Sequence, residues 1–113
     1  MKLLVVSNLY PPIAFGGYEV ECAGVVERLR ERHDVRVLTS RPGGAEVPDD
    51  PEVWRELDLL TPDERGALRA PRAAVGAVAA ARKALEWEPD LVYVWNGSSI
   101  PHAALRVIAD SEV

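Results

Sequence analysis

One junction constrains the fold more than any other part of this chain. An apolar run, Leu3-Leu4-Val5-Val6, is followed by the stretch Ser7 to Glu19, S-N-L-Y-P-P-I-A-F-G-G-Y-E, and then by an amphipathic segment reaching Arg32. A short continuous apolar run bounded by turn residues reads as a strand buried on both faces, as in the centre of a parallel sheet. Counting from Tyr18, residues Cys22, Val25, Val26 and Leu29 fall at i+4, i+7, i+8 and i+11, one face of a helix. Glu19 and Glu21 lie in its first turn and Arg30, Arg32 and His33 in its last, as the helix dipole favours. The junction is therefore a strand-to-helix connection, and one this long usually carries function. Pro11 and Pro12 favour an extended, stiff path. Gly16 and Gly17 permit φ > 0 or close approach of another molecule where the helix begins. The free N–H groups there attract an anion such as a phosphate. A tight turn is the other reading of a glycine pair, which is a much weaker signal than G-x-G-x-x-G.

The rest of the chain repeats the alternation. Asp34 to Thr39 is a second apolar strand, and Ser40 to Pro51, rich in Gly, Pro and Asp, is a surface loop. Val53 to Leu60 fits a strand through Val53, Leu57 and Leu59 and a helix through Val53, Leu57 and Leu60; the strand is preferred. Thr61-Pro62-Asp63-Glu64 is a capping box with Pro at the first helical position, but Pro71 should break or kink the helix it starts. An alanine-rich helix follows, from about Pro71 to Trp87, with Val75, Val78, Ala79, Leu85 and the stem of Arg82 expected toward the core. Leu91 to Trp95 is a further apolar strand and Asn96-Gly97-Ser98-Ser99 a turn at its carboxyl end. Ser99 is expected to cap a last helix, with Ile100 and Pro101 in its first turn and Ala104, Leu105 and Ile108 on its buried side.

The order β-α-β-β-α-β-α predicts a single Rossmann-like α/β domain over 1–113. It has an open, mainly parallel sheet, right-handed crossovers, helices on both faces and, with strands numbered along the chain, the order 3-2-1-4. The chain reverses direction across the sheet between strands 1 and 4, and the crevice at that point is where such sheets bind ligands. Two polar, glycine-containing turns flank it, Asn8–Gly17 and Asn96–Ser99.

Composition narrows the partners. Thirteen basic against 18 acidic residues give a net charge of −5, and no basic stripe is present, which argues against nucleic acid. The single cysteine, Cys22, excludes an internal disulfide and fits a reducing compartment; on the apolar side of the first helix it reads as buried and inert. No His, Cys, Asp and Glu cluster has metal-ligand spacing, so no metal is expected. No apolar run approaches the roughly 18 residues of a membrane span. The N-terminus reads as a strand rather than a signal peptide. The expected location is the cytoplasm, with peripheral contact at a membrane left open. His33 reads as a helix-terminal residue, His102 as a solvated helix residue and Trp95 as core.

The segments M-K-L-L-V-V-S-N-L-Y-P-P, G-G-Y-E, E-R-L-R-E-R-H-D-V-R-V-L-T and E-P-D-L-V-Y-V-W-N, at these distances, resemble the N-terminal domain of family 4 retaining glycosyltransferases. Those enzymes have the two-Rossmann GT-B architecture, and the resemblance covers essentially the whole chain. It implies the acceptor-binding domain of a nucleotide-sugar-dependent hexosyltransferase. The donor would be a nucleotide sugar such as a UDP- or GDP-hexose, the acceptor a glycan, lipid or small molecule, and no metal would be needed. The donor would bind mainly to a second, C-terminal domain, with Gly16 and Gly17 approaching its diphosphate across the cleft. Acceptor-side candidates are Asn8, Tyr10, Glu19, Glu21, Asn96, Gly97 and Ser98. Local turn formation is the alternative for the asparagines, and complementing the helix N-terminus is the alternative for Glu19.

The chain departs from the family pattern in three places. Glu21 stands where many relatives carry His, which implies a different acceptor or no such contact. Arg32-His33 lacks the Gly of the usual R-G-H. The two-glutamate donor motif, the phosphate-holding basic residues and the catalytic residues would lie beyond Val113. The chain therefore reads as a fragment, inactive alone, whose apolar last strand is an edge that recruits other chains and causes self-association. The alternative is a stand-alone Rossmann-like binding or interaction module. A dinucleotide-dependent oxidoreductase would want G-x-G-x-x-G after the first strand and an acidic residue ending the second, where Asn8-Leu9-Tyr10-Pro11 and Thr39-Ser40 stand.

Overall fold

The computed structural model describes residues 1–13, 16–41, 47, 49–57 and 69–112, with backbone alone at 69–71. Its elements are β1 (Lys2–Ser7), α1 (Gly17–Arg30), β2 (Asp34–Ser40), β3 (Val53–Leu57), α2 (Arg69–Leu85), β4 (Leu91–Asn96) and α3 (His102–Ala109). The four strands pair in the order β3-β2-β1-β4 and every pairing is parallel, the sheet expected from the apolar runs. β1 is central: Leu3 pairs with Val35 on one side and Leu91 on the other.

Because strand side chains alternate, the two faces of β1 enter two cores. Leu3 and Val5 pack with Val35, Val37, Tyr10, Cys22 and Val26 under α1. Leu4 and Val6 pack with Leu38, Leu57, Ile100, the alanines of α2 and Ala104 of α3. Leu4, Val6, Val37 and Leu38 are wholly buried, each worth roughly 1.5–3 kcal/mol against exposure.

The face of α2 differs from expectation. Ala73, Ala77, Ala80, Ala81 and Ala84 point inward, whereas Val75 is 72% exposed, Ala79 and Arg82 are exposed, and Val78 and Leu85 are only half-buried. Both stripes have helical spacing, so pattern alone does not choose between them. Size does: Leu4, Leu38, Leu57 and Ile100 already fill the layer above the sheet, leaving room for methyl groups. The helix expected from about Pro71 begins near that residue, and the helix that Pro71 was expected to break lies outside the described residues. Pro71 lies in the first turn of α2, where its missing N–H has no intrahelical partner to lose. The region 53–57 is a strand, as preferred; 58–60 and the Thr61–Glu64 capping box lie outside the described residues.

The last helix starts later than expected. Pro101, not Ser99, holds the N-cap position, with φ −53 and ψ 133 and no side-chain cap. Its carbonyl accepts the Ala104 N–H at 3.0 Å, and Ile100 is buried in the core instead of starting the helix. Ala104 is buried, and Leu105 and Ile108 pack beside it as expected.

Cover over the α1 face is uneven. α1 lies over β1 and β2, while Leu91 and Tyr93 of β4 remain 49% and 54% exposed. An open apolar groove of about 280 Å³ runs between α1 and the β4 edge, lined by Leu3, Val5, Val25, Leu91, Tyr93 and Trp95. Tyr18 and Val25, expected on the buried face of α1, are exposed, and Val25 borders this groove.

Candidate functional site

The carboxyl ends of all four strands are joined by one hydrogen-bonded chain. The Asn8 N–H donates to the Asn96 carbonyl at 2.9 Å, closing β1 onto β4. The Asn8 side-chain amide donates to the Ser98 hydroxyl at 3.3 Å, and the Ser98 N–H donates to the Asn96 side-chain oxygen at 3.1 Å. On the other side, the Ser40 hydroxyl donates to the Asn8 carbonyl, which ties in β2. Arg55 of β3 completes the line, donating from Nη1 to the Ser40 carbonyl at 3.3 Å. Register shifts fall at this same edge, between Val6 and Ser7 and between Thr39 and Ser40. Such irregularities re-aim side chains at the rims of sheets.

Two buried acceptors at this edge lack a partner among the described residues: Asn8 Oδ1 and Thr39 Oγ1. Asn8 is 8% exposed and Thr39 is wholly buried. Leaving a buried polar atom unpaired costs about 1–3 kcal/mol, so each gains from a hydrogen-bonding group that reaches it.

The first connection turns instead of running extended. The Ile13 N–H donates to the Tyr10 carbonyl at 3.2 Å, and the Pro11–Pro12 peptide is cis. Proline's fixed φ suits turn positions as well as extended ones. Residues 14 and 15 lie outside the described residues. At the start of α1, Gly16 has φ −168 and ψ −169, an extended conformation open to any residue. Neither Gly16 nor Gly17 has a left-handed φ. A Cβ on Gly17 would meet nothing within 4 Å, and one on Gly16 only Glu19 Oε2 at 3.9 Å. The expectation of φ > 0 here is thus corrected, and packing gives no reason for the pair to be glycine.

Glu19 is buried, and its carboxylate accepts the Gly16 N–H at 3.1 Å. This is half of a capping box, since glycine has no side chain to reciprocate. Of the two readings of Glu19, the structure realises the complement to the helix N-terminus. The next amides of the first turn have no intrahelical acceptor, and an anion reaching them has the Glu19 carboxylate as a neighbour.

The remaining candidates separate. Asn8, Asn96 and Ser98 are brought into one network. Gly97 sits in that turn but has a packing role: a Cβ there would lie 3.3 Å from Val94 Cγ1 and 3.5 Å from Leu105. Tyr10 goes into the core with Cys22 and Val26 rather than the crevice, and burial raises its phenol pKa. Glu21 is exposed on α1. Trp95 packs against the α1-side core and its indole N–H donates to the Tyr18 carbonyl at 3.0 Å, tying the first turn of α1 to β4. Cys22 is wholly buried, and burial followed by the Glu19 charge pushes its thiol up to about 11.

Ser40 and Arg55 are the members that pattern reading missed. Ser40 ends a strand and Arg55 lies within one, and only the turn at Pro11 brings the first connection over them. The single sequence signal was an arginine inside an otherwise half-apolar strand. Among the described residues no group of three His, Cys, Asp or Glu side chains is placed to hold a metal ion, and no helix is long and apolar enough to cross a membrane.

The fold and this edge define an open, all-parallel α/β sheet of Rossmann-like type whose switch point between β1 and β4 carries hydrogen-bonded polar side chains. No protein-family model matches the chain, and no curated protein matches it significantly.

Proposed function

We propose that this chain is the acceptor-side domain of a nucleotide-sugar-dependent, retaining glycosyltransferase. One observation carries the reading: the polar ends of β1 and β4 meet at the switch point, joined through Asn8, Asn96 and Ser98, with a buried acceptor left over on Asn8. The motif resemblance in the sequence supplies the chemistry. Asn8 Oδ1 accepts from an acceptor hydroxyl and the exposed Ser98 offers a second polar contact. Gly16 and Gly17 leave the backbone at the α1 N-terminus bare for the donor's diphosphate, which shares that end with the Glu19 carboxylate. Alone, the chain transfers no sugar, because one wall of a cleft cannot hold both reactants in reacting geometry.

The test is Gly17→Val in the polypeptide that carries both domains, assayed against a panel of nucleotide hexoses. The position has open space and no left-handed φ, so the variant is expected to melt like the wild type. Turnover is expected to fall at least about tenfold, the equivalent of roughly 1.4 kcal/mol, and the wild-type product is expected to keep the donor's anomeric configuration. Normal turnover in a well-folded Gly17→Val enzyme removes the phosphate role from this connection. Sugar transfer by the 113-residue chain alone removes the acceptor-half reading.

A further inference from the structure

We propose that Arg55 is a positioning residue that sets the first connection and Asn8 for a ligand in the β1–β4 crevice; this rests on the function proposed above. Arg55 is half-buried in the edge strand β3, far along the sheet from β4. Its guanidinium donates to three backbone carbonyls. Nη1 reaches Tyr10 and Ser40, each at 3.3 Å, and Nη2 reaches Pro11 at 2.6 Å. Two of these carbonyls belong to the turn that opens the connection, and the third ends β2. Ser40 in turn donates to the Asn8 carbonyl, so the guanidinium holds Asn8 at one remove.

The choice of residue is informative. Withdrawing a charge from water is costly unless its donors are used. A leucine would fill a half-buried edge position without that cost. Only arginine offers several N–H groups in a rigid planar fork, and here they span two chain segments at once. A lysine ammonium at the same place keeps the charge but cannot span three carbonyls with fixed geometry. The arrangement thus secures backbone placement, over and above filling space. Asn8 Oδ1, the unpaired buried acceptor, lies at the far end of the line that Arg55 anchors.

The experiment uses the 113-residue chain, read by amide hydrogen exchange and by ¹H–¹⁵N resonances. In Arg55→Lys the Ile13 amide, bonded to the Tyr10 carbonyl, is expected to lose at least about tenfold in protection. The Asn8 side-chain amide is expected to shift, while Val5 and Val37 in the sheet keep their protection. In Arg55→Ala the same changes are expected, with partial recovery at Ile13 in millimolar guanidinium, far below denaturing concentrations. Unchanged Ile13 and Asn8 signals in both variants overturn the proposal. So does parallel loss at Ile13, Val5 and Val37 in both, without recovery, since Arg55 would then serve stability alone. If Arg55→Ala does not fold, Arg55→Lys, which keeps charge and stem, decides by the same signals. A titration with uridine diphosphate, read at Gly16 and Gly17, separates the two readings. A wild-type response weakened in Arg55→Lys supports both. No wild-type response leaves the donor-diphosphate role to the Gly17→Val test while the exchange results still decide on Arg55.

Discussion

The two halves of the α1 face are built from the same kind of residue and end in different states. Over β1 and β2, Val35 and Val37 are shut beneath Cys22 and Val26. Over β4, Leu91 and Tyr93 stay about half exposed beside an open groove. The difference is cover, not composition. β4 is held by its ladder to β1, by Val92 on the opposite face, by the Trp95 bond to Tyr18 and by a tilted Tyr93–Trp95 ring contact at 5.9 Å. Apolar runs mark where a strand belongs; stability comes only where another element closes over them.

The sharpest way to break the comparison places one substitution in each half. Val26→Asp buries an unpaired carboxylate and is expected to cost at least about 3 kcal/mol, enough to unfold much of a domain of ordinary stability. Tyr93→Asp is expected to cost less than about 1 kcal/mol. Thermal melts followed by circular dichroism give both values, and equal losses would end the distinction between the halves.

The covered half should also respond to alkali. The Cys22 thiol is held up to about 11 by burial and then by Glu19, so the folded state keeps a proton that the unfolded chain releases first. The contribution of Cys22 to stability is therefore level below the ordinary thiol range, declines as pH rises from about 9 to 11, and levels off above, while the buried Tyr10 phenol adds a further loss above its ordinary range. Cys22→Ala should make that stretch of a stability-versus-pH profile shallower, leaving the loss due to Tyr10.

For the bare half the expected outcome is association. The outer edge of β4, unpaired among the described residues, and the exposed Leu91 and Tyr93 invite a second copy of the chain. Light scattering over a wide concentration range should show growth in mass, and Tyr93→Asp should weaken it at least about tenfold, roughly 1.4 kcal/mol. A clean monomer throughout would count against it.

The smallest expected change sits outside both halves. Glu88, just past α2, has φ 56, a left-handed conformation that a side chain resists, and its N–H donates to the Leu85 carbonyl at 2.9 Å. Glu88→Gly should stabilise by about 0.5–1 kcal/mol and raise the melting temperatures of the Val26 and Tyr93 variants alike. An effect on only one would show that the halves unfold separately.

The comparison also explains what the sequence could reveal. Three apolar runs, the segment preferred as a strand at 53–60 and the right-handed crossover rule were enough for the strand order. The inward face of α2 was not legible, since Ala77, Ala81 and Ala84 carry less apolar signal than Val75 and Val78 yet fit the space that remained. In the crevice, Asn8, Asn96 and Ser98 were legible because they end neighbouring strands. Tyr10 was not, because its turn sends the side chain down among Cys22 and Val26. Ser40 and Arg55 entered only through the path of that turn, which local sequence does not specify.

Cys22 gives the covered half a clock. It is the chain's one thiol, wholly enclosed between α1 and the sheet. Cys22 borders the open groove yet has no exposed surface, so an alkylating reagent modifies it only when the packing around it opens, and where reclosing outpaces reaction the rate of labelling measures how much of the protein is open. The same atom that packs the first helix against β1 and β2 thereby reports how often that packing lets go.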